Sequence, residues 1–219
     1  MYYPIVIVDN FYKNFFAVKK FVNEITFYDK GKNTIPGQES ELINEINFNF
    51  FQECTKKILS VFYDREKIQQ IQFDCRTRFR KTFSMGKDYS NDGWIHVDEP
   101  NKLSAIFYLE GIYDEGTSFY VKKNLSFDFS HLNLKKQMYD GIKPNFNQYN
   151  KALMMHNDQF SKILKVPFIE NRMIIFDSSI AHKADGHGTT EVPRIIQTFF
   201  FNKIITESCP IPEINRSNL

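Results

Sequence analysis

Trp94-Ile95-His96-Val97-Asp98 is the stretch whose reading decides the fold of this chain. Its alternation predicts a short strand, and alternate side chains of a strand share a face. His96 and Asp98 therefore point one way and Val97 the other. An imidazole and a carboxylate, side by side on one rigid element, are two of the three ligands that an open metal site needs. The third has to come from elsewhere in the chain.

On both sides of this stretch the period is two. Upstream, Ile71, Phe73, Cys75, Thr77 and Phe79 fall on one face of a strand. Its other face carries Arg76, Arg78 and Arg80, which read as a solvated strand face. Downstream, strands are expected over Lys102–Glu110, Thr117–Val121, Arg172–Phe176 and Arg194–Phe201. The rhythm breaks over 122–168, where Leu134–Tyr139 and Tyr149–Leu164 look helical, and this segment reads as an insertion or lid. Before residue 70, a short strand at Pro4–Val8 is followed by Asp9 or Asn10 as a helix cap. Phe11, Phe15, Val18, Val22 and Ile25 then form one apolar helical stripe, and a second helix is expected over about 49–63. Residues 28–40 read as a loop.

Two leading helices and many short strands predict a mainly β chain with flanking helices. The expected core is a cupin-like jelly roll, a double-stranded β-helix, buttressed by the N-terminal helices. One domain spans 1–219: helical support over 1–70, the jelly-roll core over 71–202 with its insertion at 122–168, and a loose tail over 203–219. Such a barrel brings side chains from separate strands together at its mouth.

Composition bounds the function. The chain is 42% hydrophobic and 16% aromatic, enough for a sizeable core. A net charge of +2 and a pI near 8.3 fall short of the basic excess, with pI above roughly 9, of a nucleic-acid-binding domain. Nucleic acid is not implied. Cys54, Cys75 and Cys209 are odd in number and lack CxxC spacing, which predicts reduced thiols. The N-terminus has no basic region ahead of its short apolar run, and no stretch is long enough to span a membrane. A soluble cytoplasmic protein is expected.

The missing ligand is assigned to His182. Its rival His187 lies between Gly186 and Gly188, which predicts an exposed turn, and leaves a short gap to Arg194. His131 and His156 fall in the insertion and read as surface residues. His96, Asp98 and His182 make two histidines and one carboxylate, the set that leaves open positions on Fe(II) for a bidentate cosubstrate and O2. Arg194 opens an apolar strand twelve positions after His182. A guanidinium there calls for an anion, and Arg grips carboxylates through a two-pronged fork. Thr198 follows on the same strand face. Trp94 reads as packing more than as substrate contact.

Over roughly residues 76–202, insertion excluded, the chain resembles the Fe(II)- and 2-oxoglutarate-dependent dioxygenases, and within them the prolyl-4-hydroxylase-like group. His96-Val97-Asp98-Glu99-Pro100-Asn101 resembles the iron-binding His-x-Asp segment. Phe107-Tyr108-Leu109 is similar to a Tyr-Leu strand whose tyrosine helps hold 2-oxoglutarate. Glu115-Gly116-Thr117-Ser118-Phe119 is similar to a Gly-Gly, Thr-x-Phe segment, with Glu115 in place of a common glycine. Met173 to His182 resembles the strand that leads to the distal iron histidine.

The resemblance implies a hydroxylase with Fe(II), 2-oxoglutarate and O2. His96, Asp98 and His182 hold the metal, and Arg194, Tyr108 and Thr198 meet the cosubstrate; Tyr108 and Thr198 fit a packed core equally well. The expected products are succinate, CO2 and a hydroxylated C–H bond, in a prolyl or other amino-acid residue of a peptide or protein. A hydroxylase of a nucleobase or small metabolite is the alternative within enzymes. A non-catalytic cupin-like binding module is the alternative outside them, and it has no need of the triad with Arg194.

Overall fold

The computed structural model describes residues 3–29, 37–123, 132–208, 210 and 211. Two antiparallel sheets face each other. In chain order the elements are β1 (Val6–Val8), α1 (Phe15–Glu24), β2 (Tyr28–Asp29), β3 (Gln38–Glu39), α2 (Ile43–Ile46), α3 (Phe48–Leu59), β4 (Gln72–Thr82), β5 (Leu103–Glu110), β6 (Thr117–Lys122), α4 (Leu132–Tyr139), α5 (Phe146–Asn157), β7 (Phe160–Val166), β8 (Met173–Asp177), β9 (Ala181–Ala184) and β10 (Arg194–Ile205). The larger sheet runs β1-β8-β5-β10-β4-β3-β2 and the smaller β7-β6-β9. This is the expected jelly-roll core with helical support.

The period of two in the central strands sorts side chains into two cores. In β10, Ile195, Phe199 and Phe201 face α1 and α3, together with Phe79 of β4 and Phe107 of β5. Ile196 of β10 joins Tyr108, Phe119, Ile174 and Phe176 between the sheets. A register slip of one residue would exchange these faces, so the pattern fixes the pairing. The helices meet the outer face through Val18 and Val22 of α1 and Cys54, Ile58 and Leu59 of α3. Asn14 and Asn47 cap them, accepting from Ala17 N at 3.1 Å and Phe50 N at 3.0 Å.

Several expectations shift. The first helix begins at Phe15 under Asn14, not after Asp9 or Asn10. Asn10 has a positive φ of 53°, and Asp9 instead receives the fork of Arg172 at 2.6 and 2.8 Å, which holds its carboxyl below the usual range. The helix expected through Leu164 stops at Asn157, because Phe160–Val166 pairs with β6 along its length. Short strands β2 and β3 flank residues 30–36 of the expected loop, which lie outside the described residues. Trp94–Asp98 makes a single bridge, His96 to His182, and no longer ladder. Cys54 and Cys75 are buried free thiols, and Cys209 lies outside the described residues. No described helix is long and apolar enough to cross a membrane.

Phe107 is fully buried and meets the rings of Phe11, Tyr12 and Phe15 at 6.0, 4.5 and 6.0 Å between centroids. Its truncation leaves a cavity exactly where the helices grip the sheet. Phe107→Ala is expected to cost about 3–5 kcal/mol of stability, read from the urea unfolding midpoint.

Candidate metal centre

The site is assembled by one backbone bridge. His96 N donates to His182 O at 2.9 Å, and His182 N returns the bond to His96 O at 2.9 Å. Residues exchanging both bonds in an antiparallel pair project on the same side, and the two imidazoles lie 4.5 Å apart between centroids. Asp98 is fixed by its own amide, which donates to Ser178 O at 2.9 Å. His96 Nε2 stands 3.7 Å from Asp98 Oδ1, and His182 Nε2 stands 3.4 Å from Asp98 Oδ2. One ligand atom from each of the three residues lies within 4.8 Å of the others.

Each ring is held in one orientation by a backbone carbonyl. His96 Nδ1 lies 2.9 Å from Trp94 O and His182 Nδ1 lies 2.9 Å from Ile180 O. A carbonyl can only accept, so Nδ1 carries the proton in both rings and Nε2 offers its lone pair toward Asp98. This is the outer hydrogen bond that metal-binding histidines use. Cis ligands with bonds of about 2.1 Å around an octahedral ion stand about 3 Å apart. The three side chains close onto such an ion with small movements. Burial, and the neighbouring His182, hold His96 below its ordinary pKa, which keeps its ring neutral; the His96 side chain is 43% exposed, so water at the mouth weakens this effect. Asp98 and His182, at 11% and 4%, form the closed side.

A cavity of about 120 Å³ opens from these ligands. Arg194, Ile196, Thr198 and Phe200, every second residue of β10, line it. Arg194 is 3% exposed, and its Nε donates to Glu115 O at 3.2 Å. Its Nη2 and the hydroxyl of Thr198 have no partner among the described residues. A buried guanidinium edge beside a buried hydroxyl has the donors that a carboxylate accepts from. Tyr108 lies under the guanidinium, 5.7 Å from ring centroid to Arg194 Cζ, and its hydroxyl donates to Thr117 Oγ1 at 2.7 Å. The sequence-assigned residues therefore meet around one space, with Tyr108 reaching it through Thr117, which lines the cavity.

Other residues at the site stand where the local sequence does not predict them. His187 lines the cavity and is 5% exposed, although the flanking glycines predict an exposed turn. Gly188 has φ +86° and turns the chain inward, and its amide donates to Glu115 Oε2 at 2.6 Å. Glu115 thus holds the loop that carries His187. Neither ring nitrogen of His187 has a partner among the described residues. Burial, then the charges of Arg194 and Lys183, push its pKa down to about 3. Arg80 also lines the cavity and lies 2.9 Å from Glu39 Oε1, so this end of the arginine face is not solvated. His156 is buried rather than on the surface, with Nε2 2.8 Å from Ile95 O; His131 lies outside the described residues. Asn157 Oδ1 accepts from Ile95 N at 3.1 Å, and Trp94 Nε1 donates to Tyr149 Oη at 3.0 Å. The insertion helix α5 therefore braces the segment that carries His96 and Asp98, a role that no spacing in the sequence signals. A larger cavity, about 500 Å³, lies between α1 and α3 on the other side of the sheet, away from these ligands.

Residues 2–193 match the family model described as "Family of unknown function (DUF6445)". The chain belongs to the DUF6445 family. The match includes His96, Asp98 and His182 and ends one position before Arg194. Among curated proteins, an "Uncharacterized lipoprotein" of Mycoplasma pneumoniae is 36% identical over 87 residues, 36% of this chain and 11% of the lipoprotein. The chain thus spans about a tenth of the length of that relative. Among solved structures, this DUF6445 chain is similar to EvdO2 of Micromonospora carbonacea var. aurantiaca, with TM-score 0.53 and 12% identity over 96% of this chain and 91% of that one. It is also similar to HygX of Streptomyces hygroscopicus, solved with nickel and 2-oxoglutarate, with TM-score 0.50 and 11% identity over 90% and 82% of the two chains. At such identities these are likenesses of fold.

Two outcomes are expected. His182→Ala abolishes retention of one equivalent of Fe(II) or Ni(II) on anaerobic gel filtration, whereas His187→Ala retains it. For His187, the folded pKa of about 3 lies below the ordinary 6.5. Its contribution to stability is therefore complete above pH 6.5 and is lost as the pH falls toward 3. Unfolding free energies from urea titrations should fall more steeply between pH 7 and pH 5 for the metal-free wild type than for His187→Asn, by up to about 1.4 kcal/mol per pH unit.

Proposed function

We propose that this protein is an Fe(II)- and 2-oxoglutarate-dependent dioxygenase that hydroxylates an unactivated C–H bond. One observation carries the reading: two Nε2 lone pairs and the Asp98 carboxylate share a cavity with the unpartnered edge of a buried Arg194. A structural zinc would be closed by a fourth protein ligand, and the cluster found among the described residues has three. The fold likeness to HygX, which was solved with nickel and 2-oxoglutarate, supports the same reading.

Fe(II) and 2-oxoglutarate would supply the oxidation itself, in which O2 and 2-oxoglutarate give succinate, CO2 and the hydroxylated substrate. The chain holds and orients. His96, Asp98 and His182 act as ligands and not as acid–base groups. Arg194 receives the carboxylate at the far end of the keto diacid through Nη2, and the Thr198 hydroxyl donates to the same group. The Tyr108 ring supports the guanidinium from below. Ile106, Ile196 and Phe200 make the wall apolar, which excludes water and strengthens these polar contacts. A prolyl or other amino-acid residue of a peptide or protein, as substrate, is supported only by the His-x-Asp resemblance.

Anaerobic calorimetric titration tests the proposal. The wild type is expected to bind 2-oxoglutarate only with Fe(II) or Ni(II) present, and to release succinate from the iron form in air. Arg194→Gln should weaken 2-oxoglutarate binding by about a hundredfold, with metal retention unchanged. A wild type that binds neither metal nor 2-oxoglutarate would overturn the proposal and leave the cupin-like binding module.

A further inference from the structure

The cavity has a wall that the metal and cosubstrate do not use. It comes from the insertion: α4 places Lys135 and Tyr139 along the same space as His96, Asp98 and Arg194. Lys135 Nζ stands 5.7 Å from the centroid of the Tyr139 ring. Among the described residues it makes no ion pair and no hydrogen bond to a carboxylate. Burial opposes its charge, and Asp98 is the carboxylate whose field favours it. Arg80, the neighbouring cation, differs in being answered by Glu39 at 2.9 Å.

Asp98 cannot serve two cations equally. With a divalent metal on the triad, the metal charge is matched by Asp98 and by the near carboxylate of 2-oxoglutarate. Arg194 is matched by the far carboxylate. Glu115 and Asp185, the other acids near Arg194, have donors of their own in Gly188 N and Asn91 for Glu115 and the Ser118 hydroxyl for Asp185. Lys135, half-buried on this wall, is then left beside a dication with no carboxylate of its own among the described residues, an arrangement suited to one more negative charge.

We propose that Lys135 binds an anionic group of the substrate, so that the molecule hydroxylated here is a small carboxylate or phosphate ester whose reactive C–H bond lies between that group and the metal. The inference rests on the proposed metal and 2-oxoglutarate site. It assigns α4 the task of selecting substrate, as α5 has the task of bracing the Trp94–Asp98 segment.

The test uses the full chain, loaded anaerobically with Ni(II) and 2-oxoglutarate. Its thermal unfolding midpoint is followed against acetate, phosphate and uncharged acetamide at constant ionic strength. Acetate or phosphate is expected to raise the wild-type midpoint to saturation, and acetamide to leave it unchanged. The tighter of the two anions identifies carboxylate or phosphate as the group selected. Lys135→Met and Lys135→Gln should each weaken the apparent anion affinity about tenfold or more, while Lys135→Arg retains it. Equal responses in wild type and Lys135→Met, or no anion response in the wild type, would overturn the inference. So would a loss of 2-oxoglutarate affinity in Lys135→Met, which would give the lysine to the cosubstrate. If the wild type fails to take up 2-oxoglutarate, the metal reading falls, and this inference with it.

Discussion

The candidate site depends on the two hydrogen bonds exchanged between the backbones of His96 and His182. They join residues far apart in the chain, and they make the two imidazoles neighbours before any metal is considered. The rest of the structure keeps this bridge in place. β9 is held by β6 on one side. The Trp94–Asp98 segment, joined to β9 by this one bridge, is braced from the other side by Tyr149, His156 and Asn157 of α5. The carbonyls of Trp94 and Ile180 complete the arrangement by fixing which nitrogen of each ring is protonated. Backbone geometry thus decides side-chain chemistry.

The sheets add a second constraint. Because β10 alternates, one face supplies Phe199 and Phe201 to the helix-covered core while the other supplies Arg194 and Thr198 to the cavity. Core residues and cavity residues are carried by the same strand, and a shift of register would exchange them. The outer core, rich in aromatic rings around Phe107, allows the inner face to hold a guanidinium and a hydroxyl with unmet hydrogen bonds. Such groups weaken a fold, and they are tolerated where a ligand answers them.

What could be read from the sequence follows from range. His96 and Asp98 were legible because two residues on one extended segment share a side, which is a local rule. Arg194 and Thr198 were legible for the same reason, and the alternation in β4 and β10 made the sheet legible. His187 was misread because flanking glycines look alike in an exposed turn and in one folded inward by the Glu115 carboxylate. His156 was misread because nothing nearby in sequence shows that α5 lies against Ile95. The start of β7 looks like a helix end in sequence because its partner, β6, is some forty residues away, and pairing overrides the local pattern. Lys135 and Arg80 carried no local sign of their place on the cavity wall.

The chain has one tryptophan, and it stands at this cavity. The indole of Trp94 is 1% exposed, bonded to the hydroxyl of Tyr149, and two residues from His96. Its surroundings change whenever the space beside it gains a charge or loses water. The protein therefore carries its one indole at a single known place beside this cavity, where an optical reporter is needed.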